Sequence, residues 1–241
     1  MAAALFVSDL HLCSARSAIS RVFLDFLARE ARQAAALYIL GDLFEYWAGD
    51  DDLADPFNAA VCAGLKGLVA SGTRLYFIPG NRDFLVGDEF ARASGATLLP
   101  EPHLIDCAGS ATLLLHGDTL CSDDAGYQEF RSRVRSAAWR DSFLAQPLAE
   151  RKAQIEALRQ KSEHEKQIKP AAIMDVNAAA VAATLRSYGY PRLIHGHTHR
   201  PARHLHDVDG HTCERWVLPA WDEDGGYLRC DQNGCTTVAL A

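Results

Sequence analysis

Five short apolar runs in this chain each end in a turn that carries a carboxylate, an imidazole or both. Ala4–Val7 leads into Asp9-Leu-His11, Leu37–Leu40 into Gly41-Asp42, and Leu75–Ile78 into Gly80-Asn81-Arg82-Asp83. Thr112–Leu115 leads into His116-Gly117-Asp118, and Arg192–Ile194 into His195-Gly196-His197-Thr198-His199. Short aliphatic and β-branched runs of this kind read as buried strands. Helical patterns lie between them. Ile19, Val22, Phe23, Phe26 and Leu27 share a stripe between Ser17 and Gln33, and further helices are expected at Pro56–Ala70 and Asp88–Ala93. Strand and helix in alternation make an α/β chain. In open sheets of that class ligands bind beyond the carboxyl ends of the strands, so the five turns are expected to converge.

The length of 241 residues suits one large domain, or one with a sizeable insertion. Towards the C-terminus the pattern changes to period-2 strands, with Asp207–Gly210 and Asp231–Gly234 as hairpin loops. Residues 121–170 break the alternation. Leu120, Tyr127, Phe130, Val134 and Ala138 fit one helical stripe, and Leu148, Ile155 and Leu158 suggest a second helix after Pro147. Within 131–169 ten Lys and Arg stand against five acids, so this span is +5 while the remainder of a chain of net charge −7 is −12. A basic amphipathic insertion is either a solvated face or a surface for anionic lipid or substrate. The acidic remainder argues against a nucleic-acid partner, whose binding is driven by phosphate neutralisation.

Seven scattered cysteines without a C-x-x-C pair read as reduced thiols. The first apolar run stops at Asp9, too early for a signal peptide, and no run reaches the length of a spanning helix. A soluble, cytoplasmic protein is the expectation.

Carboxylates, imidazoles and one amide oxygen form a borderline-hard donor set suited to Mn²⁺, Fe²⁺ or Zn²⁺. Two such metals roughly 3.5–4 Å apart activate a hydroxide and clamp a phosphoryl group for in-line displacement. One carboxylate must then bridge them, and Asp42, on its glycine-preceded turn, is the candidate. Other conspicuous residues read more simply. Tyr46 and Trp47 are expected to pack the loop after the second strand, and Asp50, Asp51 and Asp52 to form a solvated loop rather than a third metal site. Asp83 and Asp118 are expected to orient neighbours, and His195 to be a turn residue. His204, His206 and His211 receive no ligand role.

D-x-H, G-D, G-N-x-D, H-G-D and G-H-x-H in this order resemble the calcineurin-like metallophosphoesterases. The resemblance implies a two-sheet β-sandwich flanked by helices. It further implies a first metal on Asp9, His11, Asp42 and His199, and a second on Asp42, Asn81, His116 and His197. A narrower likeness lies in Gly41–Asp52, Gly80–Gly87, His116–Arg131, Ile173–Asn177 and Leu193–Pro201, which resemble the UDP-2,3-diacylglucosamine hydrolase family of lipid A biosynthesis. What this implies is a single domain over 1–241 interrupted by a helical cap at about 121–170. It also implies two Mn²⁺ per chain and hydrolysis to UMP and 2,3-diacylglucosamine 1-phosphate by attack of an activated hydroxide on the UMP-side phosphorus. The substrate would touch Asn81, Arg82, Asp124, Ser162, Lys166, Lys169 and His197, with Lys166 and Lys169 aligned by spacing only. The family works as a peripheral protein on the cytoplasmic side of the inner membrane, and no obligate protein partner is inferred.

Many relatives in the wider superfamily carry His after the motif's Asn, where this chain has Arg82. Arginine stays charged near neutrality and holds phosphate bidentately, so it binds rather than protonates. A sugar phosphate with a second pKa of about 6 leaves without protonation. The competing expectation is a calcineurin-like enzyme for soluble nucleotides, which has no use for an apolar, basic cap.

Overall fold

A computed structural model describes residues 3–168, 175–222 and 224–240, with 161–168 described by backbone alone. In chain order the elements are β1 (Ala4–Val7), α1 (Ser17–Ala28), β2 (Ala36–Leu40), α2 (Pro56–Ala70), β3 (Arg74–Ile78), α3 (Asp88–Ser94), β4 (Thr97–Leu98), β5 (His103–Cys107) and β6 (Ser110–Leu114). They continue with α4 (Ala125–Val134), α5 (Ala137–Leu144), α6 (Leu148–Ile168), α7 (Ala178–Ser187), β7 (Arg192–His195), β8 (Ala202–Val208), β9 (His211–Val217), β10 (Gly226–Asp231) and β11 (Gly234–Ala239).

The strands form two sheets, ordered β11-β10-β1-β2-β3-β4 and β5-β6-β7-β9-β8. β1 to β4 run parallel, as do β6, β7 and β9. Alternating side chains then sort themselves into layers. Phe6, Leu40, Ile78 and Leu228 of the first sheet meet Leu114, Ile194 and Trp216 of the second. Leu5, Val7, Leu37, Ile39 and Phe77 point the other way, onto Phe23 and Phe26 of α1, Leu65 of α2 and Phe90 of α3. Leu113, Leu193 and Cys213 of the second sheet pack against Val181 and Leu185 of α7. Central strands buried on both faces carry continuous apolar runs rather than alternation, which is why those runs stand out in the sequence. The architecture is the expected two-sheet sandwich flanked by helices.

Capping fixes the helix starts. The Asp55 side chain accepts from the Phe57 N–H, with Pro56 at the first helical position, and α2 begins where expected. The single stripe read through Leu120 to Ala138 is instead two helices, because Ser136 accepts from the Trp139 N–H and starts α5 afresh. Leu120 lies before them in a 3₁₀ turn. The first helix is also shorter than expected, ending at Ala28 with a separate 3₁₀ turn at Ala31–Gln33. The cysteine reading needs correction too. Cys230 and Cys235 face each other across the β10–β11 ladder and are joined as a disulfide, while Cys13, Cys62, Cys107, Cys121 and Cys213 are free. Among the described residues no helix is long and apolar enough to cross a membrane.

Candidate metal centre

Parallel pairing of β1, β2 and β3 in register brings their carboxyl ends side by side. The turns that follow are then stitched together by main chain. The Asp9 N–H donates to Gly41 O at 3.1 Å, and those of Leu10 and His11 to Asp42 O at 2.9 and 3.0 Å. From the second sheet the Gly196 N–H donates to His116 O at 2.8 Å, and the His197 N–H to Asp9 Oδ2 at 2.8 Å. That last bond couples the two sheets at the site.

The turns are strained where the chemistry sits. Asp9, His11, Asp42, His197 and His199 all adopt left-handed backbone, with φ of 55°, 50°, 55°, 68° and 54°. Outside glycine this region costs about 1–3 kcal/mol per residue and is tolerated best by Asp, Asn and His. Two glycines make the close approach possible. A Cβ on Gly80 would lie 2.5 Å from the Asp42 main-chain N, and one on Gly41 would lie 2.6 Å from His116 Nδ1. Asp83 is completely buried and gathers the Gly80, Leu43 and Asp42 N–H groups at 2.8, 2.8 and 3.2 Å. It orients neighbouring main chain, as its sequence position suggests.

Seven side chains converge. Ligand atoms of Asp9, His11 and His199 lie within 4.8 Å of one another, as do those of Asp9, Asp42 and His116. Asn81 Oδ1 lies 2.9 Å from His116 Nε2 and 2.9 Å from His197 Nδ1. His116 lies 2.9 Å through Nδ1 from Leu40 O, a carbonyl that can only accept, so Nδ1 carries a proton. In the neutral ring Nε2 therefore offers a lone pair, and it faces the Asn81 oxygen and, at 3.7 Å, Asp42 Oδ1. On the other flank His11 Nε2 and His199 Nε2 stand 3.3 Å apart. The buried Asp9 Oδ1, 3.5 Å from His199 Nε2, accepts no hydrogen bond. Ligand-type atoms crowded together, with a buried carboxylate oxygen left unsatisfied, are what a divalent cation resolves. The donor set therefore fits a metal centre.

The electrostatics agree. Burial alone would raise the Asp9 carboxyl, but His199, His116 and His11 hold it well below the usual carboxylate range. Burial pushes Asp42 up to about 7, with Asp83 and Asp9 adding to it and His116 opposing. Burial lowers the His116 imidazole, yet Asp42, Asp9, Asp118 and Glu101 bring it up to about 9. Crowded carboxylates and imidazoles without a cation must share protons, and a cation would displace them.

Arg82 donates its N–H to Asp42 Oδ1 at 2.8 Å, and its guanidinium reaches Glu45 at 3.6 Å. Asp124 caps α4, accepting from the Tyr127 N–H at 3.1 Å. Ser162 and Lys166 fall where only the backbone of α6 is described, and Lys169 lies outside the described residues. Trp47 is buried against Phe44 and Phe90, and His195 is buried at the end of β7, 2.9 Å through Nδ1 from the Gly196 carbonyl.

The acidic loop differs from expectation. It is not merely solvated. Asp50 accepts the Gly87, Glu89 and Phe90 N–H groups at the start of α3, Asp51 pairs with Arg151, and the buried Asp52 pairs with Lys152 at 2.5 Å.

Four participants have no site role in the sequence reading. Glu101 accepts the His116 N–H at 2.7 Å and pairs with Arg131 at 2.8 Å. Glu45 pairs with Arg159 at 2.6 Å beside Arg82. Tyr127 and Arg131 both donate to Asp118 Oδ2 at 2.7 Å. Only the last pair was findable, since an i, i+4 spacing puts two side chains on one helical face.

Comparison with known proteins agrees with this geometry. The family model for calcineurin-like phosphoesterases matches residues 3–201. A relative from Aromatoleum aromaticum is 58% identical over 231 residues, covering 96% of this chain and 94% of its own, and is named UDP-2,3-diacylglucosamine hydrolase. A relative of the same name from Escherichia coli O81 is 49% identical over 227 residues, covering 94% of each chain. In fold, the chain is similar to a dimetal phosphatase from Danio rerio, with a TM-score of 0.50, 12% identity, and coverage of 100% of this chain and 99% of that one. The chain belongs to the calcineurin-like phosphoesterases, within the group of relatives named UDP-2,3-diacylglucosamine hydrolase.

Proposed function

We propose that this chain hydrolyses the diphosphate of UDP-2,3-diacylglucosamine to UMP and 2,3-diacylglucosamine 1-phosphate in lipid A biosynthesis. The observation that carries the reading is the convergence of seven donors, two of them crowded round one amide oxygen, in a chain 58% identical to a relative of that name. Asp9, His11, Asp42 and His199 would hold one Mn²⁺, and Asp42, Asn81, His116 and His197 a second. When bound, such cations neutralise phosphoryl charge and lower the pKa of water.

The chain's own groups supply the rest. The Arg82 main-chain N–H fixes the orientation of Asp42, and its guanidinium, which reaches Glu45, would turn to hold a phosphate. An arginine side chain binds phosphate here and is not the proton donor. The leaving sugar phosphate, with a second pKa of about 6, departs without one. Cleavage falls between the uridine-side phosphorus and the bridging oxygen, so the oxygen of water ends in UMP. Asp124, Ser162, Lys166 and Lys169 complete the substrate contacts in this proposal. Helices α4 to α6 act as a cap within 121–170 that covers the acyl chains, with the protein docked on the cytoplasmic face of the inner membrane.

The test is to offer UDP-2,3-diacylglucosamine to the manganese-loaded chain in mixed micelles and measure UMP. Release of UMP that stops on chelation and resumes with Mn²⁺ is expected. Hydrolysis of a small chromogenic phosphodiester without any UMP from the diacyl substrate would favour an enzyme for soluble phosphodiesters instead.

A further inference from the structure

A second concavity lies against the turn that carries His197 and His199. Its volume is about 260 Å³, and Thr198 forms part of its wall together with Arg200, Pro201, Asp175, Arg215 and Val217. Pockets that enclose a whole drug-sized ligand run to about 300–1,000 Å³. This one suits a fragment of a substrate, not a diacylated sugar.

Its chemistry is unsatisfied in a specific way. Arg215, on β9, is 6% exposed, and among the described residues no carboxylate lies within ion-pair distance of its guanidinium. Nε donates to His206 Nε2 at 3.1 Å, and Nη1 lies 3.0 Å from His195 Nε2. Nη2 has no hydrogen-bond partner among the described residues. That nitrogen keeps some access to solvent and can donate to a molecule in the pocket. The Thr198 hydroxyl is buried without a partner. Asp175 supplies an acceptor, being paired with Arg200 and bonded to the Val176 N–H at 2.7 Å. Pro201 and Val217 supply apolar wall.

Arg215 and Thr198 as donors and the Asp175 carboxylate, with Arg200 and His204 also in the wall and Arg200 engaged with Asp175, do not describe a phosphate site, because a phosphate would face that carboxylate. They describe a planar heterocycle with two carbonyl oxygens and an N–H between them. We infer that this pocket receives the uracil ring of the nucleotide half of the substrate, Arg215 and Thr198 donating to its carbonyls and Asp175 accepting from its ring N–H. The inference rests on the substrate proposed above and adds what selects its base.

The test measures binding of UMP, CMP and ribose 5-phosphate to the manganese-loaded full chain by titration calorimetry. Ribose 5-phosphate has the phosphate and no base. UMP is expected to bind about ten- to a hundredfold more tightly than ribose 5-phosphate, the worth of a hydrogen bond to a charged group. Arg215→Gln should bring UMP down to the ribose 5-phosphate level and leave the latter unchanged. Asp175→Asn, which turns an acceptor into a group that also donates, should shift preference from UMP towards CMP. If Arg215→Gln fails to fold, Asp175→Asn decides alone, since its side chain is at the surface. Equal affinity for UMP and ribose 5-phosphate would overturn the inference. So would an unaltered base preference in Asp175→Asn, or equal weakening of UMP and ribose 5-phosphate in Arg215→Gln, which would mark an anion site. A parent that binds UMP by its base yet releases none from the diacyl substrate would refute the proposed reaction and leave the pocket standing.

Discussion

Around Asp42 the main chain is held in left-handed turns, threaded between two glycines and bonded to the neighbouring strand ends. Helices α4 to α6 are held differently. Among the basic residues of 131–169 whose side chains are described, five turn towards acids outside that span: Arg131 and Arg135 to Glu101 and Asp118, Arg151 to Asp51, Lys152 to Asp52, and Arg159 to Glu45. The +5 span thus answers the −12 remainder through ion pairs, and these five side chains do not face a lipid surface. Their apolar contribution is smaller. Phe143 and Val134 are buried, Trp139 and Ile155 pack against the main core, and Leu158 is 40% exposed. One region is built by packed, strained backbone and the other is attached by charge.

The largest effect should come from the turns. Asp42→Ala is expected to cut turnover of the diacyl substrate by roughly three orders of magnitude or more, with the circular dichroism of the fold retained. Near-normal turnover would separate Asp42 from the chemistry. Gly80→Ala is the backbone counterpart: its Cβ meets main chain and the Asp42 carboxylate, so about 1–3 kcal/mol of stability should be lost in urea titration. A neutral result would show that the turn can relax.

The inserted helices should break at one point above all. Arg131 serves two carboxylates, and Asp118 is fully buried. Arg131→Met leaves Asp118 to the Tyr127 hydroxyl and Glu101 to the His116 N–H, each with only a longer contact to Arg135, so up to about 3 kcal/mol should be lost. Restoring the charge balance with Glu101→Gln in the same chain, which leaves Asp118 facing Arg135, should return part of it. Arg159→Ala, at a half-open pair, should cost at most about 1 kcal/mol. If the two substitutions cost the same, charge is not what attaches these helices. Because of the same contacts, deleting residues 125–165 would unpair Glu101 and Asp118 and so disturb the His116 turn.

A smaller effect follows from His195. Burial, with Arg215 beside it, lowers its imidazole from 6.5 to about 3. Between those values the unfolded chain binds a proton that the folded chain refuses, so stability falls as pH drops below about 6.5. The slope is at most about 1.4 kcal/mol per pH unit for one such group. Melting curves from pH 7.5 to 5 in chelator should show it, with a shallower slope in His195→Gln.

The sequence was most readable where one local rule decides the outcome. Asp55 and Pro56 mark the start of α2, and the doubly buried strands β1 to β3 announce themselves as apolar runs ending in ligand-type residues. It was least readable where a tertiary contact decides. β5 alternates between half-buried and exposed residues and looks like a loop, and α7 is alanine-rich with only Val181 and Leu185 buried. Glu101 and Glu45 gain meaning only from arginines that arrive from distant helices. The left-handed backbone at five of the donor residues follows from close approach of the turns, which no local pattern announces.

Counting metal tests the centre most directly. Equilibrium dialysis against Mn²⁺, with bound metal measured per chain, should give two ions for the parent. Asp42→Ala should hold fewer, and saturating metal should raise the melting temperature of the parent because the folded state alone binds it. The same count in both proteins, or a parent that retains no manganese, would contradict a bridging Asp42 and the shared centre built around it.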